Sequence, residues 1–232
     1  MSEFNGFPKD CLAFFRDLAA NNNREWFTLN KERYRQSVLY PMSDLIAALA
    51  PRLEAIAPMY VADPRPHGGS TFRIYRDVRF SRDPRPYKEH VACQLRHQAG
   101  RDAHAPGFYI HIAPQEVRFG GGIYLPPVPV LNKVRRAIAE RPADWCVLKE
   151  DPNFQKFFPD GIRGDSLKRA PKGFTEDHPE IADIRRKTFF VMHGLRNPED
   201  ITRADFIDKI DETFQRATPF MRFLTNAVEL PF

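Results

Sequence analysis

Apolar residues recur at helical spacing over roughly the first sixty positions and then change to a period of two. Leu12, Phe15 and Leu18 are three residues apart, which predicts an amphipathic helix in the first twenty residues. A second helix is predicted over 24–38, and a third begins at Pro41, because proline is favoured at the first helical position. The N-terminal part of the chain is therefore expected to be helical.

Three later runs alternate apolar and polar residues, as half-buried strands do. They are 71–80, 91–95 and 107–113, and 117–119 follows the last of them as a hairpin partner. The glycines at 120–122 are expected to end that hairpin strand. This pattern predicts an antiparallel sheet with one face packed on helices.

The last third of the chain completes the expected fold. A helix is predicted from the proline-rich stretch at 126–129 to Ala139, a further strand over 188–192, and a long C-terminal helix over 202–228. No internal repeat or convincing linker divides the sequence. The prediction is one α+β domain over residues 1–232, in which an antiparallel β-sheet packs against the N-terminal and C-terminal helices.

Composition narrows the class of protein. The 232 residues are 42% hydrophobic and 28% charged, as in ordinary globular proteins. No apolar run approaches the roughly 20 residues that span a bilayer, so no membrane partner is expected. Cys11, Cys93 and Cys146 are far apart and no secretory signal is readable, which favours a cytoplasmic protein without disulfides.

The positive charge of the chain is concentrated in one segment. Residues 63–101 contain nine Lys and Arg against four Asp and Glu, which accounts for the whole net charge of +5. Such focusing attracts anionic molecules. The segment that contains the predicted strand 71–80 is therefore the first candidate for a functional site.

An arginine-rich motif occupies this strand. The period of two places Arg73, Asp77 and Arg79 on one face and Arg76 on the apolar face. Because a buried arginine must be paired, Arg76 needs a carboxylate or a bound anion, unless a bulge near Arg76 and Asp77 returns its side chain to solvent. We predict an anion site in which Arg73 and Arg79 bind the ligand and Asp77 orients one of them. The alternative is a lattice of internal salt bridges.

A proline-stiffened loop follows the motif over 81–88. Each proline favours extended or turn geometry at the residue before it. Arg85, Tyr87 and Lys88 are held by this loop and are predicted to help bind the ligand. The same sequence is also typical of a rigid surface turn with solvated charges, and this alternative stays open.

The motif resembles the signature of the domain of unknown function 2461 family, which consists mostly of bacterial proteins of about this length. The resemblance rests on the run from Arg73 to Asp83 with Pro86-Tyr87-Lys88, and on segments such as 22–27 and 107–112. It implies a fold and a functional surface but no activity. One departure is visible, because Pro84 follows Asp83 where the family usually has lysine.

His111 and Tyr109 are the candidate catalytic residues. Both lie on the polar face of the predicted strand 107–113, and a histidine and a tyrosine beside arginines could act as general base and oxyanion donor. The alternative is a hydrogen-bonded surface histidine. No metal site is predicted and the cofactor stays unknown, since the sequence has neither spaced metal ligands nor a nucleotide-binding glycine motif. Whether the protein is an enzyme is left open.

The predicted partner is a small molecule with a carboxylate or phosphate group. Single-stranded nucleic acid is the rival partner, since aromatic residues that alternate with arginines can stack on bases. The aromatic residues concerned are Phe72, Tyr75, Phe80 and Tyr87. The oligomeric state is not readable from the sequence.

Overall fold

The structure, a computed structural model, describes residues 4–79, 81–100 and 105–232. Its centre is a five-stranded antiparallel sheet in which the strand order follows the chain order. The strands are β1 (Tyr60–Val61), β2 (Val91–His97), β3 (Gly107–Ile112), β4 (Val117–Ile123) and β5 (Phe189–Gly194).

Helices precede, interrupt and follow the sheet, so the predicted α+β fold is confirmed. They are α1 (Asp10–Ala20), α2 (Arg24–Leu29), α3 (Lys31–Tyr34), α4 (Tyr40–Ile56), α5 (Val128–Glu140), α6 (Pro142–Glu150), α7 (Pro152–Phe157), α8 (Ile181–Ile184) and α9 (Phe206–Ala227), with a π-helical turn at Arg35–Leu39 and a 3₁₀ turn at Pro198–Thr202. In the described parts of the chain, each helix is too short or too polar to cross a membrane.

One face of the sheet packs on the long helix α9 and forms the main core. The Phe108 ring lies 4.6 Å from the Phe214 ring, and the Phe119 ring lies 5.9 Å from that of Phe206, centroid to centroid. All four rings are buried. Aromatic pairs at these distances add stabilisation beyond the burial of their area. The other face of the sheet is left open and carries the site described below.

The predicted helix over 24–38 is interrupted in the structure. Its N-terminus is as expected, because the Asn23 side chain accepts a hydrogen bond from the backbone N–H of Trp26. At Asn30, both the backbone N–H and the side-chain amide donate to the Trp26 carbonyl. The backbone bond is still of the helical kind, whereas the side-chain bond is one by which asparagine favours helix ends and turns, and α2 ends at Leu29.

The prediction of a strand over 71–80 is wrong. Over its described residues, 71–79, the segment forms only isolated β-bridges, from Thr71 to Cys93 of β2 and from Tyr75 to Tyr87. The segment instead pairs irregularly with 84–88, whose prolines lack N–H groups and cannot extend a ladder. The alternation itself persists in part, since Ile74 is buried and the residues on either side of it are exposed; Phe80 lies outside the described residues.

The glycines at 120–122 do not end the hairpin strand, contrary to the prediction. β4 continues through them to Ile123 and pairs with both β3 and β5. Glycine permits this because the neighbouring backbone is very close. A Cβ atom at Gly120 would lie 2.0 Å from the Val191 carbonyl oxygen. The glycines therefore let β5 approach β4 closely, and their missing side chains leave a depression in the open face of the sheet.

Candidate functional site

Side chains of the open face form rows across the sheet, because antiparallel pairing puts residues of neighbouring strands directly opposite one another. The first row is Ala92, His111, Arg118 and Gly194, and the second is Gln94, Tyr109, Gly120 and Met192. In both rows, large polar side chains stand beside residues with little or no side chain. This contrast in size opens a depression in the face.

The depression is a cavity of about 490 Å³, within the usual range for small-molecule sites. Gly107, Gly121 and Gly122 form part of its lining. Its apolar walls are Phe72, Tyr124, Phe190 and Met192, and its polar lining is Lys88, His90, Gln94, Tyr109, His111 and Arg118. A mainly apolar cavity with a few convergent polar groups is the usual form of a ligand site.

His111 is at the centre of the polar lining and lies between a tyrosine and a carboxylate. A hydrogen bond of 3.3 Å joins Tyr109 Oη and His111 Nδ1, and His111 Nε2 lies 3.8 Å from Glu116 Oε1. Arg118 donates to the same Glu116 oxygen at 2.5 Å. Arg118 Nε is buried and has no hydrogen-bond partner among the described residues. The arginine can therefore still donate a hydrogen bond.

Two imidazole rings stack in the wall of the cavity. The ring centroids of His90 and His111 are 4.4 Å apart at an interplanar angle of 33°. Burial, followed by the charge of Arg118, lowers the pKa of His111 to about 4. Burial and the His111 charge likewise lower the pKa of His90 to about 4. Both rings are therefore neutral near pH 7 and can accept protons.

Two other titratable groups of the cavity are also shifted toward their neutral forms. Burial raises the pKa of Tyr109 to about 12. Burial, followed by the charge of Arg73, lowers the pKa of Lys88. The Lys88 ammonium lies 5.5 Å from the centroid of the Phe72 ring, and it has no carboxylate partner in the described part of the chain. Perturbed groups that converge in a cavity mark a candidate functional site.

Lys88 is held in place from behind by the N-terminal helices. The side chain of Asn22 bonds both backbone groups of Tyr87, donating to its carbonyl at 3.0 Å and accepting from its N–H at 3.1 Å. The Tyr87 ring is buried and stacks on Phe27 at 4.1 Å. The backbone N–H of Lys88 donates to the Ile74 carbonyl at 2.8 Å. These contacts direct the next side chain, that of Lys88, to the cavity.

Three arginines of the motif and its loop, Arg76, Arg79 and Arg85, are paired with carboxylates, and none of the three lines the cavity. Arg76, with 26% of its side chain exposed, donates to Asp83 at 2.7 Å, and Arg85 donates to both Asp83 and Glu89. Hydrogen bonds from Arg85 and Arg76 hold the pKa of Asp83 well below its usual range. These pairs are the arrangement expected from the salt-bridge alternative.

Arg79 and Arg73 lie on the surface. Arg79 is 77% exposed and donates to the Asp77 carboxylate at 2.7 Å. Arg73 is exposed as well, near enough to Lys88 and Asp77 for its charge to lower the pKa of both. The structure thus brings Tyr109, His111 and Lys88 together in the cavity. It places the predicted ligand-binding residues Arg73, Arg76, Asp77, Arg79, Arg85 and Tyr87 outside its lining.

The three described aromatic residues among those considered for base stacking do not share one surface, and the fourth, Phe80, lies outside the described residues. Tyr75 is 52% exposed, whereas Tyr87 is buried against Phe27, and Phe72 lies in the cavity wall. In the described ranges, no three His, Cys, Asp or Glu side chains converge so as to hold a metal ion.

Sequence reasoning missed His90, Gln94, Arg118 and Tyr124. For Arg118 a signal existed, because the predicted hairpin of 107–113 with 117–119 already placed residue 118 across from residue 111. Tyr124 follows the glycines that were expected to end the strand. His90 and Gln94 depend on how the irregular segment 71–90 joins β2, which no local pattern indicates.

These features define an α+β protein with a ligand-sized cavity on the open face of an antiparallel sheet. The chain belongs to the family described as "Conserved hypothetical protein (DUF2461)", whose family model matches residues 10–223. The resemblance seen in the arginine motif is thereby confirmed. No curated protein and no solved structure matches the chain. The evidence for a function therefore comes from the site itself.

Proposed function

We propose that the cavity on the open face of the sheet binds a small organic anion with a carboxylate or phosphate group. One observation carries the proposal: among the described residues, Arg118 and Lys88 of the cavity each have a positively charged group with a hydrogen-bond donor that no protein group accepts. Arg118 Nε is buried without a partner, and Lys88 has no carboxylate partner in the described ranges. Buried polar groups are normally satisfied, so each exception calls for an explanation, and a ligand anion is the simplest one.

The remaining lining supports the same class of ligand. Phe72, Tyr124, Phe190 and Met192 offer apolar surface for a carbon skeleton, and the glycines leave room beneath it. His111 is neutral and is hydrogen-bonded to Tyr109, so it can accept a proton from the ligand or donate a hydrogen bond to it. The proposed ligand is thus anionic at one end and apolar elsewhere.

The test is a thermal-shift screen of small carboxylates, phosphate esters and short oligonucleotides, followed by titration calorimetry of the hits. A ligand at 100 times its Kd should stabilise the protein by about 2.7 kcal/mol. Arg118→Gln should weaken a binding anion by roughly 10- to 100-fold, because a hydrogen bond to a charged group contributes about 1.5–3 kcal/mol. Arg79→Gln is the matched control, since Arg79 is exposed and lies outside the cavity.

The two variants separate this site from the arginine motif. Loss of affinity in Arg118→Gln with little change in Arg79→Gln would support the cavity. The reverse pattern would place the ligand on the motif and contradict the proposal, as would a panel in which only oligonucleotides stabilise the protein.

A further inference from the structure

Lys88 differs from the three lysines that lie within 4 Å of a carboxylate in the described part of the chain. Lys133 bonds Glu229, Lys149 bonds Glu180, and Lys209 lies within 4 Å of two aspartates. The ammonium of Lys88 instead faces the Phe72 ring, and the nearby charge that acts on it is the like charge of Arg73.

This environment destabilises the ammonium and so raises the fraction of neutral amine. Partial burial removes hydration from the charge, the neighbouring arginine repels it, and no carboxylate of the described residues compensates. The neutral amine is the nucleophilic form of lysine, and desolvation beside another cation is an established way to activate it. A lysine meant only to attract an anion would gain more from a polar, solvated position.

The groups that an amine needs for carbonyl chemistry line the same cavity. The Phe72 ring that Lys88 faces also lies 6.4 Å from the Tyr109 ring, and the Tyr109 hydroxyl is bonded to His111. Tyr109 can donate a proton and neutral His111 can accept one. Arg118 can hold a carboxylate in the same cavity.

We propose that Lys88 is a nucleophilic lysine that forms an imine with a small 2-oxo acid bound in the cavity. The inference rests on the proposed anion site and specifies its ligand. The amine nitrogen attacks the carbonyl carbon, and the carbonyl oxygen takes up a proton. The nitrogen then loses a proton, and the hydroxyl leaves as water, with a proton from Tyr109 or solvent, as the C=N bond of the protonated imine forms. Loss of the second proton from nitrogen, back to Tyr109 or solvent, gives the neutral imine. One amine and one carbonyl give one imine and one water, and no oxidant or reductant takes part.

The first experiment traps the imine in the intact protein. Pyruvate or glyoxylate is added with sodium cyanoborohydride, and the modified lysine is located by peptide mass spectrometry. We expect one reduced adduct per chain at Lys88, its loss in Lys88→Arg, and no change in Lys172→Arg, which removes an exposed lysine. Lactate, which has no carbonyl carbon to attack, should give no adduct. An adduct spread over exposed lysines without preference for Lys88 would overturn the proposal.

A second measurement does not depend on the choice of oxo acid. Formaldehyde with cyanoborohydride methylates any accessible neutral amine, and formaldehyde is small enough to enter the cavity. At pH 7, Lys88 should be methylated several-fold faster than Lys172 although Lys172 is the more exposed. Equal or slower methylation of Lys88 would refute the nucleophilic role.

The outcomes also distinguish this inference from the proposed function. If pyruvate stabilises the wild type but not Arg118→Gln, and Lys88 is neither trapped nor methylated early, the anion site stands and the imine is refuted. If Lys88 is trapped selectively while Arg118→Gln leaves affinity unchanged, the imine is supported and the role of Arg118 is refuted.

Discussion

Replacing His111 by asparagine should reduce the loss of stability that the protein undergoes between pH 7 and pH 5. The pKa of His111 falls from 6.5 in the unfolded chain to about 4 in the folded protein, chiefly because the ring is buried. As the pH drops below 6.5, the unfolded chain takes up a proton at this position that the folded protein does not bind until near pH 4. The free energy of unfolding therefore decreases across this window.

The magnitude follows from the size of this pKa difference. A shift of one unit corresponds to 1.36 kcal/mol, so the full contribution between pH 6.5 and pH 4 is about 3 kcal/mol, of which about 2 kcal/mol has accrued at pH 5. Because 15% of the His111 side chain is exposed to solvent, we expect a measured value of about 1–2 kcal/mol. The pKa of His90 is lowered as well, by burial first and by the charge of His111 second.

The assay is urea unfolding at pH 7 and at pH 5, followed by tryptophan fluorescence. The quantity compared is the difference in unfolding free energy between the two pH values. Carboxylates also titrate in this range, but they do so in every variant and cancel in the comparison. Between pH 7 and pH 5, His67→Asn, a change at an exposed position, should lose as much unfolding free energy as the wild type. His111→Asn should lose about 1–2 kcal/mol less than the wild type over the same interval. Equal losses in all three proteins would refute the buried, neutral state of His111.

Two further predictions concern packing and buried charge. Gly120→Ala should destabilise the fold more than Gly121→Ala. The added Cβ would lie 2.0 Å from the rigid Val191 carbonyl oxygen in the first variant, but 2.6 Å from the flexible Met221 side chain in the second. Chemical denaturation should show a loss of unfolding free energy of about 1–3 kcal/mol for Gly121→Ala, and equal losses in the two variants would contradict the argument. Asp183→Asn should lower the free energy of unfolding by about 3–5 kcal/mol, because buried Asp183 pairs with Arg186 and Lys149. Asp160→Asn removes an exposed pair and should lower it by less than 1 kcal/mol. Similar melting temperatures for the two variants would rule out this difference.

Local patterns predicted the parts of the fold that depend on neighbours in sequence. The hairpin of β3 and β4 follows from alternation on both sides of a short turn, and it also placed Tyr109 and His111 on the open face. The cavity was not predictable in this way. Its floor depends on glycines that are required because a neighbouring strand passes close to them. Its wall depends on Lys88, whose position is set by Asn22 through hydrogen bonds to Tyr87, 65 residues further along the chain.

The segment 71–80 shows why a period of two is not sufficient to predict a strand. Over 72–79, exposed side chains alternate with less exposed ones, as the pattern predicts, but a ladder also requires donors on the partner segment. Pro84 and Pro86 lack those donors, so only the bridge from Tyr75 to Tyr87 forms. The hydrogen bonds missing from a ladder are replaced in part by side chains, chiefly the pairs of Asp83 with Arg76 and Arg85.

The salt-bridge lattice and the ligand site therefore need not be alternatives, although the sequence presents them as such. Arg85 bonds Glu89, and Glu89 accepts a hydrogen bond from Asn22, which also bonds the backbone of Tyr87. The paired charges thus fix the loop on both sides of Lys88 at the cavity wall. If the arginines acted on the ligand directly, the carboxylates that pair with them would compete with it. Arginines that hold a loop in place leave two groups of the cavity for the proposed ligand: the Lys88 ammonium, and the Arg118 Nε–H that the pair with Glu116 does not use.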